Sequence, residues 1–356
     1  MINVKFFNNK KIFITGHTGF KGSWLTLALL EMGAKVAGYS LKPKKNSNFK
    51  ILRLEKNIEN TYNDIQNHKL LNEKIKKFKP SIIFHLAAQP LVRASYRNPI
   101  ETYKTNIIGT MNVLEVIRKS KFIKSAVIIT SDKCYLNKEW KYPYRENDEL
   151  GGIDPYSSSK ACCELAYSTY ENSYFKYIKN LGVATARAGN VIGGGDFSED
   201  RIIPDCFRAL KNSKNFIIRS PKSTRPWQHV LEPIGGYLLL SQKLFKEPKK
   251  YSGSWNFGPQ PSERKDVKQL VKTFFKKINL KRKSKLIFKK DNNKKTKESS
   301  ELQLSCDKSN KYLNWSPKWN YEQTVKYTAE WYYTYILKRK KIIEISKNQI
   351  KNYFYR

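Results

Sequence analysis

The stretch KIFITGHTGFKG, residues 11–22, decides how this chain folds. Its first five residues are a short apolar run, and the remainder is rich in glycine. Apolar side chains then recur at helical spacing from Phe20 to Met32, and Gly33 ends the pattern. The stretch therefore predicts a strand, a tight turn and a helix in direct succession.

The turn itself has the spacing GxxGxxG, with glycine at positions 16, 19 and 22. Glycine permits a tight turn and lets the backbone approach a pyrophosphate, which then lies at the positive end of the helix. A helix-capping turn is the plainer interpretation, but the position directly after an apolar strand favours a dinucleotide site. The predicted cofactor contacts from this turn are Gly16, Thr18, Gly19, Phe20 and Gly22.

Further apolar runs alternate with long segments of helical spacing. The runs cover residues 35–39, 81–86, 125–130 and 183–187, and the helical segments cover 99–119 and 156–176. Continuous apolar strands separated by helices specify a parallel sheet that is covered on both faces. We therefore predict an α/β fold, a doubly wound parallel sheet of the Rossmann type, with a smaller, mostly C-terminal substrate-binding lobe.

The domain organisation is predicted from where that alternation weakens, beyond about residue 189. We expect a dinucleotide-binding domain over residues 1–188 and a substrate-binding lobe over residues 189–356, with a return to the first domain near residues 224–260. A lysine-rich segment in the second part is predicted to be a solvated loop around a short strand, residues 285–288.

The formal charge of +38 is extreme, and clustered Lys and Arg would suggest a nucleic-acid partner. The lysines are instead spread over nearly every predicted surface segment, so we expect no nucleic-acid partner. An acidic substrate would still benefit from the positive field.

Cysteine and histidine usage argues against a metal site. The five cysteines contain no CxxC pair and the four histidines have no ligand spacing, so we predict no metal and a reducing compartment. The N-terminus has no apolar region of the signal-peptide kind, and there is no run of about 18 uncharged apolar residues. We expect a soluble, cytoplasmic protein with no membrane partner.

The type of dinucleotide is less well specified. An acid at the end of the second strand normally binds the ribose hydroxyls, and residues 39–42 supply none. Ser40 and Lys42 would suit a 2′-phosphate, whereas Tyr39 and backbone groups would suit an unphosphorylated ribose; NAD is expected and NADP stays an alternative. Asp64 and Ile65, after a predicted third strand, are expected beside the adenine, and a helix cap is the alternative role of Asp64.

Tyr156 and Lys160 begin a predicted helix four residues apart, so the phenol and the ammonium share one face. A cation at that position would lower the pKa of the tyrosine and make it a usable base. The preceding strand ends at Ser131 and Asp132, where polar groups face the ligand crevice of a parallel sheet. Turn capping is the alternative role of Ser131 and Asp132.

Four motifs together resemble the extended short-chain dehydrogenase/reductase family: GxxGxxG, HLAAQ at 85–89, YxxxK at 156–160 and RAGNV at 187–191. Within that family, four further strings resemble the nucleotide-sugar dehydratases: GHTGFKGSW at 16–24, TSDKCY at 130–135, GGGD at 193–196 and RPWQHV at 225–230. The likeness runs from about residue 10 to about residue 331.

This resemblance implies an NAD-dependent hydro-lyase acting on a nucleotide-sugar, with a CDP-linked glucose as the expected substrate. It implies a place in deoxysugar synthesis for a surface polysaccharide such as lipopolysaccharide, and a homo-oligomer, dimer or tetramer, formed by helix pairing. It adds Leu86, Ala87 and Ala88 to the expected cofactor contacts, together with Tyr156 and Lys160.

The mechanism that the resemblance implies is a closed redox cycle. Tyr156, aided by Lys160 and Ser131, takes the proton of the sugar 4-OH while hydride leaves C4. The 4-ketone acidifies the C5 proton, water is eliminated across C5 and C6 with Asp132 as the acid, and the hydride returns to C6. Related dehydratases have glutamate after that aspartate, whereas this chain has Lys133; we assign Lys133 to the C5 step, and tuning of Asp132 is its alternative role.

The substrate pyrophosphate requires strong donors, and arginine suits phosphate best. Arg225 is the first candidate by its motif, and the other expected substrate contacts are Gln89, Arg93, Asn190, Arg201, Arg219 and His229. An epimerase, which needs no acid for the 6-OH, is the alternative enzyme. A catalytically idle binding protein of the same fold is the alternative class.

Overall fold

The computed structural model describes residues 2–218, 221–260, 263–278, 286–288 and 302–355. Its strands are β1 (Lys11–Thr15), β2 (Lys35–Ser40), β3 (Glu59–Tyr62), β4 (Ile82–His85), β5 (Ser125–Ile129), β6 (Gly182–Ala188), β7 (Val191–Ile192), β8 (Phe216–Ile218), β9 (Thr224–Arg225), β10 (Gln228–His229), β11 (Gly253–Phe257), β12 (Lys265–Asp266) and β13 (Leu286–Phe288).

The helices are α1 (Phe20–Glu31), α2 (Asn48–Ile51), α3 (His68–Phe78), α4 (Val92–Arg97), α5 (Pro99–Tyr103), α6 (Gly109–Arg118), α7 (Pro155–Ser173), α8 (Ile202–Lys211), α9 (Leu231–Lys246), α10 (Pro248–Tyr251), α11 (Val267–Ile278), α12 (Asp307–Leu313), α13 (Tyr321–Leu337) and α14 (Ile342–Phe354). A π-helical segment, Lys104–Ile108, joins α5 to α6. The segment predicted as one helix over residues 99–119 is therefore continuous, and it changes from α-helical to π-helical hydrogen bonding and back.

Seven strands form one parallel sheet in the order β11-β6-β5-β4-β1-β2-β3. The order runs outward in both directions from the contact of β1 with β4, which is the reversal that defines a doubly wound sheet. The predicted fold class is confirmed. Ligands bind such sheets at the reversal, beyond the carboxyl ends of the strands.

The two faces of the sheet carry separate cores because successive side chains of a strand point in opposite directions. In β1, Ile12 and Ile14 belong to the core against α1 and α9, whereas Phe13 belongs to the core against α3 and α6. All three side chains are almost completely buried, and each stabilises the fold by about 1.5–3 kcal/mol. The continuous apolar character of KIFIT follows from burial on both faces.

The later part of the chain builds three two-stranded pairings, β10 with β7, β12 with β9 and β13 with β8. The last of these includes the short strand predicted at residues 285–288, of which the structure describes residues 286–288. Between these pairings, β11 returns to the edge of the main sheet and pairs with β6. The segments after β6 therefore contribute both to the sheet and to the layer that covers its carboxyl edge.

Candidate active site

The glycine-rich turn lies at the reversal of the sheet. Gly16 has φ +75°, and a Cβ there would come within 2.6 Å of the Ala87 backbone nitrogen. A Cβ at Gly22 would come within 2.1 Å of the Gly16 carbonyl oxygen. Thr15 Oγ1 lies 2.7 Å from His85 Nδ1 and accepts a hydrogen bond from the Ala87 N–H at 3.3 Å. This close backbone packing above a helix N-terminus fits the pyrophosphate of a dinucleotide.

The other predicted contacts to the cofactor lie around this turn. The Leu86 N–H donates to the Thr15 carbonyl, which keeps the loop that carries Ala87 and Ala88 against the turn. Phe20 faces the later segments, since a Cβ at Gly193 would lie 3.2 Å from the Phe20 ring. The cradle is therefore bounded by β1, β4 and the loop after β7.

The ribose end of the cradle differs from expectation at Tyr39. That side chain is completely buried, and its hydroxyl donates to the Asp64 carbonyl at 3.0 Å, so it does not face a ribose. The polar groups at the end of β2 are instead Thr18 and Ser40, whose hydroxyls lie 2.7 Å apart. The prediction that the Tyr39 phenol holds an unphosphorylated ribose is wrong, because the side chain is needed to anchor the third-strand loop.

The adenine-side residues also have structural roles. Asp64 Oδ1 accepts a hydrogen bond from the Gln66 N–H at 2.8 Å, which is a local turn contact. The N-cap of α3 is Asn67, so the alternative role of Asp64 as a helix cap is wrong. The Ile65 side chain is buried in the core beside α6, in contact with the Gly109 backbone. Contact of either residue with an adenine stays a prediction.

The five predicted catalytic residues meet at the end of β5 and the start of α7. Ser131 Oγ donates to Asp132 Oδ1 at 2.9 Å and accepts from the Lys133 N–H at 3.2 Å. The Ser131 side chain lies close enough to Tyr156 to lower the pKa of the phenol, and Lys160 Nζ donates to the Ile129 carbonyl at 3.3 Å. The parallel sheet and the Asp154 N-cap of α7 bring the two motifs together.

The electrostatics of the unliganded site correct the expected pKa of Tyr156. Burial raises this pKa to about 12, although Ser131 and the charge of Arg201 oppose the rise. Burial also lowers the pKa of Lys160. The predicted depression of the tyrosine pKa is therefore wrong for the protein alone, because the cost of burying a phenolate exceeds the effect of its neighbours.

Asp132 is a buried carboxyl surrounded by cations. Burial raises its pKa, while Lys133, the hydrogen bond from Ser131, Lys21 and Arg225 each act to lower it. A carboxyl whose pKa is raised is suited to hold a proton and deliver it to a leaving group.

Lys21 was not predicted as a site residue. Burial lowers its pKa to about 8, Asp132 raises it, and Arg201 and Lys160 lower it further, so Lys21 shares one electrostatic environment with the catalytic residues. Its position in the first turn of α1, within the glycine motif, was the signal that could have identified it.

Two predicted substrate residues, Arg93 and Arg201, connect two separate segments of the chain near the catalytic residues. Arg93 forms an ion pair with Asp200 at 3.2 Å, and Arg201 donates to the Pro90 carbonyl at 2.9 Å. The Arg201 contact joins the loop after β4 to the segment before α8, and the Arg93 contact joins the first turn of α4 to that same segment. These contacts lie near the catalytic residues, because the charge of Arg201 lowers the pKa of Tyr156.

The remaining predicted substrate residues differ in exposure. The Gln89 amide donates to Thr102 at 2.9 Å and accepts from the Leu91 N–H at 2.6 Å, so it fixes the loop rather than pointing into open space. Asn190 is partly exposed beside β10, Arg225 is largely buried near Asp132, and Arg219 lies outside the described residues.

His229 is completely buried rather than facing the cleft. Its ring contacts Trp24 and Trp319, and its Nδ1 accepts from the Leu231 N–H at 3.3 Å. The prediction that His229 contacts the substrate is wrong, because aromatic side chains enclose its ring in the core.

A shallow depression lies near Asp132, and its lining residues are Gly189, Pro226, Gly258, Pro259, Arg264, Gln303 and Leu304. A Cβ at Gly189 would lie 3.0 Å from Asp132 Oδ2. The Arg264 guanidinium donates to Thr224 Oγ1 at 3.2 Å. When the side-chain amide of Gln303 is oriented with its oxygen toward Arg264, that oxygen accepts from Arg264 Nη1 at 2.7 Å. Sequence reasoning missed Arg264 and Gln303 because they stand in no motif with a catalytic spacing.

Among the described residues, no group of three or more His, Cys, Asp or Glu side chains is arranged to hold a metal ion. Within the same part of the chain, no helix is both long and apolar enough to cross a bilayer.

Comparison with known proteins adds independent information. The sequence profile of the family described as GDP-mannose 4,6 dehydratase matches residues 13–328. A CDP-glucose 4,6-dehydratase of Salmonella typhimurium is 46% identical over 360 residues, which cover 99% of this chain and 98% of that protein.

Two solved structures have the same fold. A UDP-glucose 4-epimerase of Thermotoga maritima superposes with a TM-score of 0.77 at 23% identity, covering 92% of this chain and 100% of that one. A dTDP-glucose 4,6-dehydratase of Bacillus anthracis, solved in complex with NAD, gives a TM-score of 0.72 at 22% identity, covering 95% and 99%.

Proposed function

The chain belongs to the GDP-mannose 4,6 dehydratase family, and from that premise we propose that it converts CDP-glucose to CDP-4-dehydro-6-deoxyglucose with NAD as its cofactor. The full-length similarity to a CDP-glucose 4,6-dehydratase supports the substrate. The observation that carries the reaction class is Asp132, a buried carboxyl in hydrogen-bond contact with Ser131, which itself contacts Tyr156. A 4-epimerase needs the tyrosine but has no step that uses such an acid.

The cofactor is held in this proposal by the turn from Gly16 to Gly22 and by the backbone around Ala87. When bound there, the nicotinamide supplies reversible storage of the hydride that leaves C4 of the sugar and returns at C6. The tight contacts at Gly16 and Gly22 support this assignment, because a Cβ at either position would collide with the backbone that forms the turn.

The proton chemistry is assigned to the residues at the end of β5 and the start of α7. The Tyr156 hydroxyl takes the 4-OH proton, and the Ser131 hydroxyl orients both the phenol and the Asp132 carboxyl. Lys160, buried beneath them, adds positive charge that favours the phenolate over the phenol. Because burial raises the pKa of Tyr156 to about 12, this step requires further positive charge from the bound complex.

The elimination step is assigned to Asp132 and Lys133. Asp132 protonates the departing 6-OH, a role supported by its raised pKa. Lys133 removes the C5 proton, and the 4-ketone makes that proton acidic enough for an amine base. The substrate pyrophosphate is assigned to Arg225, supported by its proximity to Asp132.

We further propose that the protein works as a homo-oligomer in the cytoplasm, on a route to a surface polysaccharide. Exposed apolar side chains on the α5 to α7 face support the oligomer: Ile100, Ile108, Met111 and Leu165 are 66%, 46%, 38% and 56% exposed. Five unpaired cysteines are consistent with a reducing compartment.

Incubation of the purified protein with CDP-glucose, with and without added NAD, tests the function. The expected product has lost one water, carries a 4-keto group and forms without net production of reduced nicotinamide. Unchanged mass with inverted configuration at C4 would identify an epimerase, and no turnover of CDP-, dTDP- or GDP-sugars would support the binding-protein alternative.

A further inference from the structure

Glu164 is a completely buried carboxylate on α7, two helical turns after Tyr156 and one turn after Lys160. Its oxygens accept four side-chain hydrogen bonds. Oε1 accepts from Thr130 at 2.5 Å, and Oε2 accepts from Thr185 at 2.7 Å, Arg187 at 2.8 Å and Ser254 at 3.0 Å. Such complete pairing is what a buried charge requires.

Three of these four donors come from two neighbouring strands, and the fourth directly follows a third strand. Thr185 and Arg187 belong to β6, and Ser254 belongs to β11. Thr130 differs from them because it directly follows β5 and directly precedes Ser131. Glu164 therefore joins the helix that carries the tyrosine to the segment that carries the catalytic serine and aspartate.

Thr130 is the last residue that contacts the sheet before the catalytic turn, so its position determines where the turn begins. Its N–H donates to the Ala186 carbonyl at 3.0 Å, which continues the contact with β6. At Ser131 the chain leaves the sheet and enters the short 3₁₀ turn Asp132–Cys134, and the Ser131 hydroxyl contacts Asp132 and the Lys133 N–H within that turn. Thr130 is thus the point from which the turn projects into the cleft.

We propose that Thr130 is a positioning residue, whose hydrogen bond to Glu164 sets the location of Ser131 and Asp132 relative to Tyr156. This inference rests on the proposed function for its catalytic consequence. The effect acts through Ser131 and Asp132, because the Thr130 hydroxyl is committed to the carboxylate beneath the site.

The chain offers a control, because Thr185 donates its hydroxyl to the other oxygen of the same carboxylate and does not precede the catalytic turn. Both threonines are buried, and valine has nearly the same shape as threonine. Thr130→Val should lower the melting temperature more than Thr185→Val does, because it removes the hydroxyl that donates to Oε1, whereas Oε2 keeps Arg187 and Ser254 as donors after Thr185→Val. If the network only stabilises the fold, kcat measured below the melting temperature of both variants should be the same for the two.

If Thr130 is a positioning residue, Thr130→Val and Thr185→Val should differ in kcat. Thr130→Val should lower kcat for CDP-glucose by about 10-fold to 100-fold with KM little changed, because small misplacements of catalytic groups are costly. Thr185→Val should keep kcat within about twofold, and Thr130→Ser, which retains the hydroxyl, should recover most of the activity. Equal kcat for both valine variants, whether lowered or unchanged, would overturn the proposal.

Crystal structures of the two valine variants give a readout independent of turnover. The Ser131 and Asp132 side chains should shift by about 0.5 Å or more relative to Tyr156 in Thr130→Val and stay in place in Thr185→Val. Absence of turnover by the wild-type protein would refute the proposed function, while the structures would still decide the positioning. If Thr130→Val does not fold, Thr130→Cys, with its weaker donor, should show an intermediate loss of kcat; wild-type kcat there would count against the proposal.

Discussion

Replacing Asp132 by asparagine separates the chemistry of this residue from its place in the structure. The asparagine oxygen can still accept from Ser131, as Oδ1 does at 2.9 Å, so the turn should keep its shape. The amide has no proton of suitable acidity for the 6-OH. General acid catalysis contributes about 10²–10⁴ in rate, so kcat should fall by that factor, equivalent to about 3–5 kcal/mol.

The same variant should be at least as stable as the wild type. Because burial raises the pKa of Asp132, the folded carboxyl binds its proton more tightly than the unfolded one does. Stability from this group is therefore present at low pH and is lost as pH rises through the folded pKa. Asparagine carries no such loss, so the melting temperature at neutral pH should equal or exceed that of the wild type.

The assay combines product mass, C5 proton exchange in deuterated water and thermal unfolding. Asp132→Asn should slow loss of water far more than it slows C5 exchange, because exchange follows oxidation at C4 and needs no acid at C6. Glu232→Gln, at another buried carboxyl of raised pKa outside the site, is the control and should leave kcat unchanged. Wild-type rates of dehydration by Asp132→Asn would refute the assignment of the acid.

The other predictions concern four parts of the molecule. Tyr156→Phe should abolish both C5 exchange and dehydration, as measured by mass and proton exchange, since no ketone forms. Lys133→Met should abolish C5 exchange while Lys133→Glu restores part of it; if exchange survives in Lys133→Met, lysine only tunes the acid. Burial raises the pKa of Glu232 from 4.5 to about 7, so between these pH values the wild type should lose stability on the order of 3 kcal/mol relative to Glu232→Gln in denaturant titrations. Asp200→Asn, which breaks a half-exposed ion pair with Arg93, should change kcat/KM by less than about fivefold. A larger loss would show that Asp200 contributes more to catalysis than one half-exposed ion pair provides.

The sheet was predictable because burial on both faces leaves a strong pattern in each strand. KIFIT and the apolar run over residues 81–86 both appear as central strands, the second over Ile82–His85. The strand β11 left a weaker signal, because Gly253–Phe257 carries polar side chains that reach partners in other segments. The change of winding at Lys104–Ile108 was also not predictable, since π and α turns share nearly the same apolar spacing.

The candidate site was predictable where a motif specifies chemistry and less so where tertiary packing decides. Ser131, Asp132 and Tyr156 are brought together as local spacing and sheet topology required. The pKa of Tyr156 was mispredicted because burial is a property of the folded chain. Lys21 was missed for the same reason, as its neighbour Asp132 is distant in sequence.

The most direct test of the central claim is to follow one hydrogen atom. CDP-glucose labelled with deuterium at C4 should give a dehydrated product with deuterium at C6, transferred within the same molecule and without net change in the cofactor. Deuterium retained at C4 in a product of unchanged mass, or released to solvent, would contradict an internal hydride transfer and the dehydratase assignment with it.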